Sequence, residues 1–297
     1  MQTILALARM LWRQRRSANL LAVSAFLWIV LTQDLTWASE AFDALAFWPA
    51  VMLLAATTLI AAAIVAISTA LLCALVPPFR GVPVVLSASW PVTEIGNRLL
   101  PLDGSSMLFW QFAVILFFTW LFFFPHVDRW LPLRRVCKGV QFRTRAHPHE
   151  ILDATIPGLG SVDAYYGNLH DVRLDPDRPD VRRVRYALGR GVFEEQIVTF
   201  KGISDDGGTY HHVNDASPQI AAQTEGTFSV SIGPAGPNGW RKVGLASEWA
   251  ALPLRLAFLQ WLFDTDGERA DSVANKLNRN FDPSVAGRDS RLAKSQA

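Results

Sequence analysis

Between Asp43 and Arg80 the chain lacks any charged residue. A water-soluble domain has no use for so long an uncharged run. Its centre, Val51 to Ile67, is unbroken apolar or small, and the whole exceeds the roughly 20 residues with which a helix crosses bilayer hydrocarbon. Cysteine is nearly lacking as well. The two present, Cys73 inside that run and Cys137 at the expected membrane edge, make no disulfide framework. No strong excess of one charge exists, and a net +2 is too small to argue for nucleic acid. Motifs that carry chemistry are also missing. No Ser–His–Asp or Cys–His arrangement stands out. Gly233–Gly239 contains prolines and follows no phosphate-loop pattern. Asp264–Gly267 lacks the rest of a calcium loop. Nothing calls for a cofactor or a bound metal.

What is present falls into two regimes. Up to Pro125 the chain is rich in Leu, Ala, Phe and Trp, and from His126 it is rich in Arg, Asp and Gly. Residues 1–135 are therefore expected to form an α-helical, multi-span transmembrane region, with spans near 17–33, 46–76 and 107–125. The basic start (Arg9, Arg13, Arg15, Arg16) precedes an uncharged run, and Asp34, Glu40 and Asp43 follow it. Ala38–Ala41 also suits a secretory signal, but the further apolar runs fit a signal anchor as well. The positive-inside rule places the N-terminus in the cytoplasm. Arg129, Arg134, Arg135, Lys138, Arg143 and Arg145, opposed by Asp128 alone, vote for the cytoplasm too and suit contact with anionic lipid headgroups. Three spans would leave them outside. Residues 82–102 are thus either a fourth span or an interfacial or re-entrant piece. They carry three prolines with Glu94 and Arg98, which pair at i,i+4. The expected location is the inner membrane, multi-pass, with a cytoplasmic C-terminal domain.

Residues 136–284 read as a soluble α+β domain, and 285–297 as a polar tail. Val136–Arg145 has partial period-2 character, and Pro148 suits the first turn of a helix. Arg183–Leu188 and Val192–Phe200 flank a Gly-Arg-Gly connection and predict a hairpin. Thr209–Val213, Thr227–Ile232 and Trp240–Ala246 continue the strands, with Phe228, Val230 and Ile232 on one face. Leu252, Leu256, Leu259 and Phe263 then share a helical face, and Val273, Leu277 and Phe281 extend it. Five histidines and acids (His147, His149, Glu150, His211, His212) lack the fixed spacing of a zinc site and read as solvent-facing. Of Glu194 and Glu195, at most one points into an interior, because adjacent strand residues face opposite ways.

The order strand, helices, antiparallel meander and long terminal helix resembles the START-related helix-grip superfamily (SRPBCC), which includes polyketide cyclases and lipid-transfer domains. The segments carrying the resemblance are Gln141–Ala154, the hairpin around Gly189–Gly191, and Glu225–Ile232. They cover about Val136–Phe281, and the closing strand departs from the family in lacking its frequent Gly-Thr pair. No resemblance is found for the membrane half. The likeness implies an antiparallel sheet gripping a long C-terminal helix, with an apolar cavity between them. The expected lining is Tyr186, Phe228, Val230, Leu256 and Leu259. The function expected is binding of a hydrophobic small molecule, such as a membrane lipid. Two alternatives stand beside it. One is a cyclase- or hydrolase-type enzyme using Glu195 or His212 in the same cavity. The other is a structural membrane protein whose domain docks a protein partner.

Overall fold

The computed structural model describes residues 8–9, 11–32, isolated positions between 48 and 71, 81–100, 103–130, 133–189, 192–214, 223–282 and 284. Two compact units divide the chain, one within Leu11–Phe124 and one running from Pro125.

The first unit contains α1 (Arg15–Thr32), α2 (Val82–Leu99) and α3 (Gly104–Phe123). Most of the span expected at 46–76, and the tail at 285–297, lie outside the described residues. Helix α3 is the one described helix long and apolar enough to cross a membrane. Its side chains are turned outward: Leu108, Phe109, Phe112, Leu116 and Phe117 are exposed, and Val114 alone is buried. The segment expected at 82–102 is one continuous helix despite Pro91. Helices α1 and α2 pack together, Ala18, Leu21, Ala22, Val84 and Val85 are buried, and the Ser24 hydroxyl donates to the Ser87 carbonyl at 2.7 Å. Trp110 of α3 donates its indole N–H to the Thr93 carbonyl at 3.2 Å.

The second unit opens with a 3-10 turn, Pro125–Arg129. Seven strands follow: β1 (Leu133–Thr144), β2 (Leu169–Leu174), β3 (Val181–Gly189), β4 (Val192–Ser204), β5 (Gly207–Asn214), β6 (Thr224–Ile232) and β7 (Arg241–Pro253). They form one antiparallel sheet in the order β1-β7-β6-β5-β4-β3-β2. Strand β1 is the only one out of sequence, and it pairs along β7 at the far edge from β2. Helix α4 (Pro148–Thr155) begins with Pro148, and the Glu150 carboxylate accepts a bond from the His147 backbone N–H at 2.8 Å, a favourable group at a helix start. Period-2 burial is strict in β5 and β6, so one face of the sheet carries the core. Val184, Val198, Phe228, Val230, Val243 and Leu245 of that face meet Ile151, Leu152 and Ile156 from the α4 region.

The long terminal helix expected from Leu252 onward is two helices. Strand β7 runs on through Leu252 to Pro253, α5 spans Leu254–Leu262, and α6 spans Thr265–Leu277. Asp264 separates them in the left-handed region, at φ 50°. The gripped helix is α6, whose Gly267, Ala270, Val273 and Ala274 are buried. An antiparallel sheet with helices packed on one face is consistent with an α+β helix-grip domain.

Candidate functional site

A cavity of about 280 Å³ opens among the sheet face, α6 and the loop before β2. The sheet supplies its floor by register. Tyr186 of β3 lies opposite Glu194 of β4, Gln196 of β4 opposite Asn214 of β5, and Tyr210 of β5 opposite Phe228 of β6. His212 lies opposite Gly226, which in turn lies opposite Trp249 of β7. The glycine is required there. A Cβ on Gly226 would stand 2.9 Å from the His212 ring and 2.8 Å from the Glu248 carbonyl. Without that Cβ the imidazole lies across the sheet and meets the Trp249 ring edge-on, 4.7 Å between centroids. The roof comes from the Tyr165–Asn168 loop and Arg269 of α6. Lys276 of α6 donates to the Asp163 and Tyr165 carbonyls and so holds that loop against the helix. All four tyrosines of the chain line this one space.

The polar side chains form two groups. In the first, Tyr186 Oη donates to Gln196 Oε1 at 3.1 Å, Gln196 Nε2 to Asn214 Oδ1 at 2.6 Å, and Asn214 Nδ2 to Glu194 Oε1 at 2.7 Å. Burial pushes the Glu194 carboxyl above its usual range, and the Asn214 bond partly opposes that rise. In the second, the Arg269 guanidinium lies over the Phe228 ring at 3.9 Å, with Tyr166 at 5.2 Å and Tyr210 Oη at 3.4 Å. Its Nε is shielded from solvent and has no partner. Both His212 ring nitrogens are likewise shielded and have no partner among the described residues. Burial first, and then the Arg269 and His211 charges, lower the His212 pKa to about 3, so the ring is neutral at pH 7. Burial raises the Tyr165, Tyr186 and Tyr210 phenols, so all three keep their protons.

Of the five side chains expected to line a cavity, Tyr186 and Phe228 do so. Val230 is buried in the core beside them. Leu256 and Leu259 stand on α5 and are not among the lining residues, because the break at Asp264 gives the sheet face to α6 instead. Glu195 is exposed and pairs with Arg185 at 3.0 Å, while its neighbour Glu194 faces the cavity. His212 is interior, against the expectation of a solvent-facing ring. His211, on the opposite face, pairs with Glu225 at 2.8 Å. The histidines and acids gather into no metal-holding group among the described residues. Sequence reading missed Arg269, Gln196, Asn214 and the Tyr165–Tyr166 pair. The only local signal for Arg269 is its place three residues before Ser272 and four before Val273, on the stripe that α6 buries.

No family model matches the chain, and no curated protein matches it. Among solved structures it is similar to a conserved protein from Geobacillus kaustophilus, at 9% identity and TM-score 0.38, covering 54% of this chain and 97% of that one. It is similar to truncated norcoclaurine synthase from Thalictrum flavum, at 10% identity and TM-score 0.34, covering 49% and 94%. It is also similar to Ara h 8.0201, at 12% identity and TM-score 0.34, covering 50% and 100%. Each of these likenesses covers about half of this chain.

Proposed function

We propose that the C-terminal domain is a binding module for a small, largely apolar molecule, held in the cavity between the sheet and α6. The single observation that carries this is a concave space of about 280 Å³ inside the domain, walled by four tyrosines, Phe228 and Trp249 with a few convergent polar groups. Ligand sites have this composition: mostly aromatic and apolar wall, with a few polar groups that fix orientation. A protein-docking role does not require such a space in the core. We further propose that the N-terminal helices tether the domain to a bilayer, from which an apolar molecule such as a lipid component has a short path to the cavity. The uncharged run from Ala44 to Phe79 and the outward apolar surface of α3 support the tether.

The test uses the full chain, purified in detergent and analysed by native mass spectrometry with organic extraction of what co-purifies. A small apolar molecule bound to the wild type is expected, and Ser247→Phe, which fills the cavity from β7, is expected to release it. A chain that emerges empty and takes up no added apolar compound overturns the reading. The enzyme alternative passes from Glu195 to Glu194, the carboxyl that faces the cavity with a raised pKa. Glu194→Gln that abolishes turnover of the extracted compound while keeping its binding would favour it.

A further inference from the structure

We infer that the ligand carries an anionic group, a carboxylate or its planar equivalent, and that Arg269 receives it with a hydrogen bond from His212 beside it. This rests on the cavity reading and adds the chemistry of its occupant.

The argument starts from what Arg269 lacks. A guanidinium is always charged and offers five N–H donors in a rigid fork matched to a carboxylate. A charge held inside a protein is ordinarily paired with an opposite one. Among the described residues, Arg269 has no carboxylate partner. Its protein contacts are two aromatic faces and one phenol oxygen at 3.4 Å, and its Nε donates to nothing. The one carboxyl that shares the cavity, Glu194, is turned to Asn214. Arg269 is partly exposed, and a fully buried guanidinium of the same domain shows the contrast. Arg255 is 5% exposed at its side chain, and Asp128 meets it with both oxygens at 2.6 and 2.7 Å.

His212 points to the same conclusion independently. It is 4% exposed, it lines the cavity, and neither ring nitrogen has a partner. A neutral imidazole holds one N–H, and a buried donor left unused costs roughly 1–3 kcal/mol. Tyr210 lies between these groups in space: its ring is 5.9 Å from that of His212 and its hydroxyl is beside Arg269. An anion seated on Arg269 would use the free Nε and the free imidazole N–H together. The aromatic wall would then hold the rest of the molecule.

The experiment compares 1-naphthoate with 1-naphthamide, which share a ring system and differ in charge. Binding to the full chain in lipid nanodiscs is measured by equilibrium dialysis, with empty nanodiscs as the blank. The wild type is expected to hold the acid at least about tenfold more tightly than the amide, the scale of one hydrogen bond to a charged group. Arg269→Gln is expected to erase that preference while keeping the amide. Arg269→Lys, which retains a charge without the fork, is expected to keep part of it. Equal binding of both compounds to the wild type overturns the anion assignment and leaves the cavity reading standing. Binding of neither compound removes the cavity reading and this one with it. A preference that survives in Arg269→Gln overturns the role given to Arg269. The wild-type comparison needs no variant, so a variant that fails to fold leaves the test intact.

Discussion

At the scale of single residues, His212 sets a pH dependence whose sign can be worked out. Its folded pKa, about 3, lies below the ordinary 6.5, chiefly because it is buried. Above pH 6.5 the ring is neutral in both states and contributes no penalty. As pH falls through 6.5 the unfolded chain takes up a proton that the native ring refuses, so stability is lost progressively toward pH 3. The slope from this one proton is at most about 1.4 kcal/mol per pH unit. Glu194 acts with the opposite sign. Its pKa is raised, so its destabilising contribution is present at neutral pH and relieved as pH falls through the folded value. Subtracting the two proteins isolates the histidine. Urea unfolding of the wild type and of His212→Gln between pH 7 and pH 4 should show the wild type losing stability faster. Parallel curves would mean that the ring is solvated or partnered in solution.

Elements are joined by one contact that outweighs its neighbours. The turn Pro125–Arg129 is fixed to α5 by the two-point pair of Asp128 with Arg255, both almost wholly buried. Breaking a buried pair by removing one member costs roughly 3–5 kcal/mol, because a desolvated charge loses its opposite. Replacing both by apolar residues of similar size avoids that cost. Asp128→Ala is therefore expected to lower the melting temperature of the domain strongly, and Asp128→Leu with Arg255→Met to recover most of the loss. A single variant as stable as the wild type would show the pair to be open to water. Nothing in the sequence announces it. Asp128 reads there as the lone acid among basic residues, and Arg255 as one charge beside the apolar face of Leu252, Leu256, Leu259 and Phe263. Their 127-residue separation carries no periodicity. What was legible depended on local repeats. The alternation of Thr227–Ile232, the proline-opened helix at Pro148 and the paired strands around Gly189 all follow from spacings of two to four residues. The site itself was half legible. Tyr186 and Phe228 are found by alternation. Arg269 is not, because a charged residue on the inward stripe of a helix looks like an error in the stripe. Leu256 and Leu259 lie away from the site for a different reason. Period alone carried one helix across Asp264, where the backbone turns left-handed and hands the inward face to α6.

At the scale of the whole molecule, the pairing of α2 and α3 bears on the membrane topology expected for the N-terminal half. Thr93 meets Trp110, and Gly81, just before α2, faces Phe123 at the end of α3 so closely that a Cβ would sit 2.2 Å from its ring. The two helices thus run as a hairpin joined by the few residues from Leu100 to Asp103. Gly81 and Phe124 therefore lie at the same end of the hairpin. Both ends are followed or preceded by arginine: Arg80 at one, and Arg129 through Arg145 beyond the other. That agrees with a single cytoplasmic face. Helix α2 is less apolar than α3, and its pair of charges lies in the last turns, where Glu94 and Arg98 meet at 3.2 Å and Arg98 is half exposed. A long side chain near a helix end reaches the interface with its charge while its stem stays apolar. Eighteen residues span roughly 27 Å, close to the hydrocarbon thickness. The topology we predict is four crossings, with α2 as the less apolar arm of the hairpin beside α3, both chain ends in the cytoplasm and Leu100–Asp103 outside. Alkaline phosphatase fused after Asp103 should be active, and the same enzyme fused after Ala297 should be silent where a fluorescent protein at that position glows. The reverse pattern would put the domain outside and require α2 to lie in the interface. Silence at both positions would mean that the hairpin dips into the membrane from the cytoplasm without reaching the far side.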